Sequence, residues 1–560
     1  MKRKVTLLLM AFCLIMTAVF GTGCSGTTFD EDAPNSEYSD RKKTITLSYY
    51  LGGYGESYWN ALAKDFMENY DEEIYLQMNP YVDSANMRSL IQAGEDQGDI
   101  VQISVDMFRN TAYLEELSEV LDMTPLEEDT KIKDKDIEMY NYYLEEYKVD
   151  GQKKTGVFQM PAGQINGHHF AYNKTTLDEA FAGESYTLPR TTDEFFAFGD
   201  ELLDKGVFLT SAAISDASGG GDYLTYLYQL WFAQLMGLED YNRFYKGEIY
   251  DKASKTWSLS SGKDVRILSD NKDEIIDAYT ICDTLLSAEN AYLHSSSSEL
   301  DYLKNDKVFA GGGCGSNRSK TGFLFIGSWF EKEIEPLIAD ELIEADQTYG
   351  MMRTPVASSI VKYLEYRDGG KYMSDSMLSS VIEAIDSGAT SYKGVSKADF
   401  ARIKEARKMI ITQICSEIVV PKISDESKRE DIYKVLRYLT SDRAQKVAAE
   451  AVGGLNMMPF GAPVNTEELD ITVTNFVKEC NEVDRDPQNV IVDYSRTNSL
   501  ASQYLKHTWY YTPGGERMSA YIYRTADPQT PEKMYDALYN NLSATWANYV
   551  KNYKTALGSN

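Results

Sequence analysis

The sequence predicts an α/β protein built as two or more cooperating lobes, and three observations carry that expectation. Of its 560 residues the first 23 read as an export segment, leaving about 537, too many for one ordinary compact core. From residue 44 onward, strand-like and helix-like stretches alternate, the order that builds a parallel sheet with helices on its faces. No repeat, coiled coil or low-complexity block interrupts the body of the chain.

The chain opens with a basic tetrapeptide and an apolar run at 5–20 (VTLLLMAFCLIMTAVF), the n-region and h-region of a secretory signal. The run is shorter than the roughly 20 residues a bilayer span requires. Gly21 to Gly23 then precede Cys24, an arrangement that resembles the lipobox of bacterial lipoproteins, although Gly21 stands where leucine is usual. The resemblance implies a signal peptide over 1–23, lipidation of Cys24 and, over 24–43, a polar flexible tether to a membrane.

The body begins with a strand at 44–50 (TITLSYY), two glycines, and an amphipathic helix at 58–70. A second strand (EIYLQMNPYV), a short helix (MRSLIQAGEDQG) and a third strand at 99–105 (DIVQISV) complete a parallel unit, whose binding residues belong in the loops past the strand ends. Strands follow at 154–160 and 169–172, then a helix at 189–206 with Thr192 as its expected N-cap and Gly206 at its end. Helices at 222–236 and 273–286 flank a hairpin (KGEIYDKASKTWSLSSGK). Strands at 323–326 and 349–352 and helices at 397–406, 428–439 and 443–450 complete the pattern.

Acidic residues outnumber basic ones by 86 to 56; the net charge of −30, about −33 without the export segment, argues against nucleic acid as a partner. Tyrosine is unusually frequent, 41 against 21 phenylalanines. The six cysteines have no paired spacing, and Cys282 and Cys314 are left open as either a bridge or two thiols. GGGCGSN at 311–317 lacks the residue order of a phosphate loop and reads as a turn.

In order along the chain, TITLSYY, the Asp-Ile-Val strand at 99–101, YNKTTLDEA at 172–180, PRTTDEFFAFGDEL, GFLFIGSW at 322–329, YGMMRTPV at 349–356 and YLTSDRAQKVAAEAVGGLNMMP at 438–459 resemble the carbohydrate-type (family 1) solute-binding lipoproteins of ABC importers. The resemblance covers about 44–460. It implies a two-lobe periplasmic-binding-protein-like fold of type II, with lobes joined by crossover hinge strands and closing on ligand. The crossings are expected near 161–167 and 349–356, giving a first lobe of 44–161 plus 350–425 and a second of 162–349 plus 426–560, the last including a C-terminal extension. The implied partners are a small-molecule ligand, an oligosaccharide above others, and a membrane permease; the protein is expected to be a monomer without cofactor or metal, on the extracytoplasmic face of the membrane.

Saccharide recognition needs aromatic faces for the sugar ring and polar side chains for its hydroxyls. The candidates are Tyr50, Tyr54 and Glu56 after the first strand, Asp106 at the end of the third, Trp231 in the 222–236 helix, Trp329 after a strand end, and Arg353 beside the expected crossover. Tyr50 and Trp231 read equally well as core residues. Four histidines (His168, His169, His294, His507) and no hydrolase motif argue against an enzyme, while a glycosidase, needing only two carboxylates, stays open from sequence. A surface enzyme acting on glycans, or a binding protein for a peptide, a sugar phosphate or an anionic glycan, are the alternatives.

Overall fold

The computed structural model describes residues 35–51, 53–54, 56–95, 97–103, 108, 111–135, 144–149, 152–161, 165–214, 223–245, 247–251, 254, 256–259, 265–413, 417–457, 463–492 and 530–556. Asp106, Cys24 and the tether's first residues lie outside them.

Alternation of apolar residues starts β1 (Lys43–Tyr50), whose Ile45, Leu47 and Tyr49 are buried. The helix Ser57–Asn69 covers it with Tyr58, Trp59, Leu62, Ala63, Phe66 and Met67, a stripe at three- and four-residue spacing. β2 (Ile74–Tyr81) and β3 (Ile100–Gln102) pair in parallel with β1 on either side. The hairpin β4 (Leu144–Val149) and β5 (Gln152–Val157) precedes β6 (Met160–Pro161). β1, β2, β3 and β6, with the later strand β14 (Glu417–Val419), form a five-stranded sheet in the order β2-β1-β3-β14-β6, while β4 and β5 pair only with each other.

The second sheet is centred on β7 (Ile165–Asn173). Beside it lie β8 (Val207–Thr210), β11 (Lys320–Ile326), β12 (Tyr349–Met352), β13 (Met409–Gln413) and β15 (Val490–Val492). The excursion β9 (Glu248–Asp251) and β10 (Thr256–Leu259) is an antiparallel hairpin, as the sequence predicts. Along β11, Phe323 and Phe325 enter one apolar cluster and Leu324 and Ile326 the other, so this sheet is covered on both faces.

The expected division of the chain differs from the observed sheet membership. β12 and β13 pair antiparallel with β7 in the second sheet, although 350–425 was expected in the first lobe. The chain returns to the first sheet between Gln413 and Glu417. The helices Arg429–Leu439 and Asp442–Ala451, expected in the second lobe, pack instead on the first-lobe helix Ser57–Asn69. There Asp65 accepts hydrogen bonds from Tyr438 at 2.9 Å and from Arg443 at 2.7 Å. The helix Asn475–Asp484 then lies against β12 and β7. Lobe membership here is set by non-local pairing, which local periodicity does not encode.

Two smaller readings change as well. Thr191, not Thr192, caps the helix Thr192–Asp204, accepting from the Glu194 amide, while the Thr192 hydroxyl is spent on Ser358. Cys282 and Cys314 are reduced thiols. The stretch 504–515 lies outside the described residues, but the helix Pro531–Ala556 beyond it packs against the helix Lys272–Leu286 and belongs to the second-lobe core.

Candidate functional site

The loop after β1, from the first sheet, meets the loop after β11, from the second. A single apolar cluster runs across this seam, from Leu47 and Tyr54 of the first lobe to Ile326 and Trp329 of the second. One polar bond spans it as well: the Tyr54 and Ser328 hydroxyls lie 2.7 Å apart.

The loop after β11 is shaped around Trp329. At Gly327 a Cβ would fall 1.8 Å from the indole, so only glycine lets the ring fold back over the backbone. Gly53, at φ +60°, lies in the opposite loop, where an added Cβ would sit 3.9 Å from the same side chain. Trp329 is 3 % exposed, and His168 meets it edge-on at 5.0 Å between ring centroids, with Tyr223 at 6.0 Å. Tyr226 lies 4.6 Å from His168 on the other side. Neither ring nitrogen of His168 has a hydrogen-bond partner among the described residues. Burial pulls its pKa down to about 3, so the imidazole is neutral at physiological pH.

On the first-lobe side, Tyr50 is half exposed and touches Tyr81 edge-on at 5.8 Å. Its amide donates to the Gln102 side-chain carbonyl, which also accepts from the Trp59 indole at 3.2 Å. Glu56 accepts from Tyr49 at 2.9 Å.

Behind Trp329, two carboxyl groups share a buried position. Glu333 and Asp306 are close neighbours, and Asp306 is almost fully buried. Burial comes first and the neighbouring carboxyl second in raising Asp306 well above the carboxylate range; burial lifts Glu333 to about 7. Because its folded pKa lies above its unfolded one, Glu333 contributes stability that is full below about pH 4.5 and lost as pH rises through about 7. Glu333→Gln is therefore expected to melt higher than the parent at pH 8 and nearly with it at pH 5. Thermal scans across that range check this; parallel curves for the two proteins would contradict it.

The sequence candidates thus separate. Tyr54 and Trp329 come together at the seam, with Tyr50 and Glu56 at its first-lobe edge. Trp231 does not reach it: the side chain is fully buried in the second-lobe core and donates to the Pro355 carbonyl at 3.1 Å. Arg353 is also elsewhere, turned toward Asp486 and Asn489, each at 2.8 Å. His168, Tyr223, Tyr226, Ser328 and Glu333 were not singled out. Strand alternation in HHF was the available signal for His168, since adjacent strand residues face opposite ways and His169 does lie on the other side, 3.8 Å from Asp484. Among the described residues no group of His, Cys, Asp and Glu is arranged to hold a metal, and no helix is long and apolar enough to cross a membrane.

Comparison with known proteins bears on both fold and site. The family model for bacterial extracellular solute-binding proteins matches residues 52–274, which include Tyr54, Glu56, His168 and Tyr223. No curated protein sequence is a detectable relative. Among solved structures, apo RafE of Streptococcus pneumoniae superposes with a TM-score of 0.51 at 15% identity, covering 90% of this chain and 98% of its own. A substrate-binding protein of Listeria monocytogenes, in complex with cycloalternan, gives 0.51 at 15% identity over 93% and 100%. The GacH receptor of Streptomyces glaucescens, solved unliganded and with acarbose, gives 0.50 at 12% over 91% and 100%. The chain therefore has the two-lobe α/β fold of these binding proteins.

Proposed function

Starting from a chain homologous over residues 52–274 to the bacterial extracellular solute-binding proteins, a family of binders rather than enzymes, we propose that it captures a neutral carbohydrate between its lobes and hands it to an ABC permease. The observation that carries the reading is the seam itself, where Tyr50 and Tyr54 of the first lobe approach Trp329 of the second, and the neutral imidazole of His168 is packed among Trp329, Tyr223 and Tyr226. Aromatic faces suit the apolar side of a pyranose, and a neutral imidazole offers one donor and one acceptor to its hydroxyls. Three similarly folded proteins are described with raffinose, acarbose or cycloalternan, which supports a saccharide over a peptide. Opening and reclosing at the Tyr54–Ser328 contact is the motion by which a permease would distinguish loaded from empty protein.

Delivery requires the protein to stay near the membrane, and a lipid on Cys24 followed by the 24–43 tether would hold it there. Calorimetry with a panel of neutral oligosaccharides and peptides tests the ligand class. Saturable heat with at least one oligosaccharide is expected; heat with peptides alone would replace the reading. In the same experiment series, Cys24→Ala is expected to move the protein from the membrane fraction to the medium, and its retention would exclude the anchor.

A further inference from the structure

On the far side of β7 from the seam, a cavity of about 550 Å³ opens between the 186–190 loop, the end of β12, Asp386, Arg407 and Lys408, and the 482–486 turn. Every residue lining it lies in second-lobe elements, and none of the seam residues takes part, so this is a separate site. Its volume falls in the range of small-molecule pockets.

Its walls are unusual for so acidic a protein. Four cations (Arg190, Arg353, Arg407, Lys408) face three carboxylates (Asp386, Glu482, Asp486). Arg190 pairs with Glu383 at 3.1 Å, but the carboxylates leave donors of Arg353 and Arg407 unused. Arg353, 9 % exposed, puts three acceptors on one nitrogen, with Nη2 donating to the Val483 carbonyl, Asp486 and Asn489. Arg407, whose side chain is 10 % exposed, spends Nε and Nη2 on Asp386. The Nη1 groups of both arginines are buried and have no partner among the described residues. Lys408 shares Asp486 with Arg353 at 2.7 Å. Burial first, and Arg407 second, disfavour the charge on Arg353, while Asp486, Asp386 and Asp484 favour it. Buried unpaired donors on two like charges are a costly arrangement unless an acceptor with negative charge sits between them.

We propose that this pocket binds a small molecule carrying an oxyanion, with the Nη1 groups of Arg353 and Arg407 and the Lys408 ammonium as its donors. A phosphate or carboxylate has the several acceptor oxygens this set lacks, and the remaining volume, bounded by Tyr186, Leu188, Pro189 and Met352, accommodates an uncharged body.

The test uses the intact mature protein in phosphate-free buffer, titrated by calorimetry and thermal shift with inorganic phosphate, a hexose phosphate and acetate, each against sodium chloride at equal ionic strength. Saturable stabilisation by phosphate beyond the chloride control is expected, with the hexose phosphate separating a free anion from the head of a larger ligand. Arg407→Gln should weaken that binding by about tenfold or more. Since Arg407 is buried and its replacement can unfold the lobe, the rim variant Arg190→Gln supplies a second reading, a smaller weakening in a protein that melts like the parent. Oligosaccharide affinity should be unchanged in both variants, which keeps this site distinguishable from the seam. If the oxyanions act only as the chloride control does, or if neither variant alters the response, water fills the pocket and the proposal is overturned.

Discussion

Trp329→Ala is expected to weaken saccharide binding by roughly 30- to 100-fold, the loss of about 2 to 3 kcal/mol seen when a central aromatic anchor is truncated. The indole lies between the lobes, held over Gly327 on one side and against His168 on the other. Removing it takes away the stacking surface and releases both neighbours. Trp329→Phe keeps an aromatic ring over Gly327, so most of the affinity should return. Calorimetry on the two variants, with melting curves to show that each is folded, provides the measurement. Equal affinities for alanine variant and parent would remove Trp329 from the site.

The largest effect on stability is expected from Trp546→Ala, a loss of about 3 to 5 kcal/mol. Trp546 is fully buried on the helix Pro531–Ala556, in line with Met534, Leu538, Leu542 and Val550 at four-residue intervals. That stripe docks on the helix Lys272–Leu286, so the cavity left by the indole would open inside the second-lobe core. Two lobes need not unfold together. Urea unfolding followed by near-ultraviolet circular dichroism should show the second-lobe transition moving to lower denaturant; an unchanged midpoint would mean that the terminal helix is dispensable to the core.

Much of the local architecture could be read from the sequence. The alternation in TITLSYY, the limits of β12 and the β9–β10 hairpin follow from side-chain period and turn residues. The position of Trp329 followed from a strand ending in GSW. What could not be read locally is which strand pairs with which. Arg353 adjoins β12 as expected, but its neighbours arrive from 483–489, a part of the chain to which no role had been given. Trp231 had a readable warning: YLTYLYQLWFAQLM carries no polar face, and a helix apolar on all sides is buried, as Thr225 to Leu235 are.

The strand order has a consequence for how the protein is made. β7 is the hub of the second sheet, yet β11, β12 and β13 follow it by well over a hundred residues, and the last helix seals the same lobe from the end of the chain. Contacts this distant must wait for loop closure, which slows folding. The second lobe therefore cannot complete its sheet before residues beyond 320 are available, nor its core before the helix Pro531–Ala556 docks. In a chain threaded across a membrane before folding, such late completion would leave this lobe open while those segments pass through.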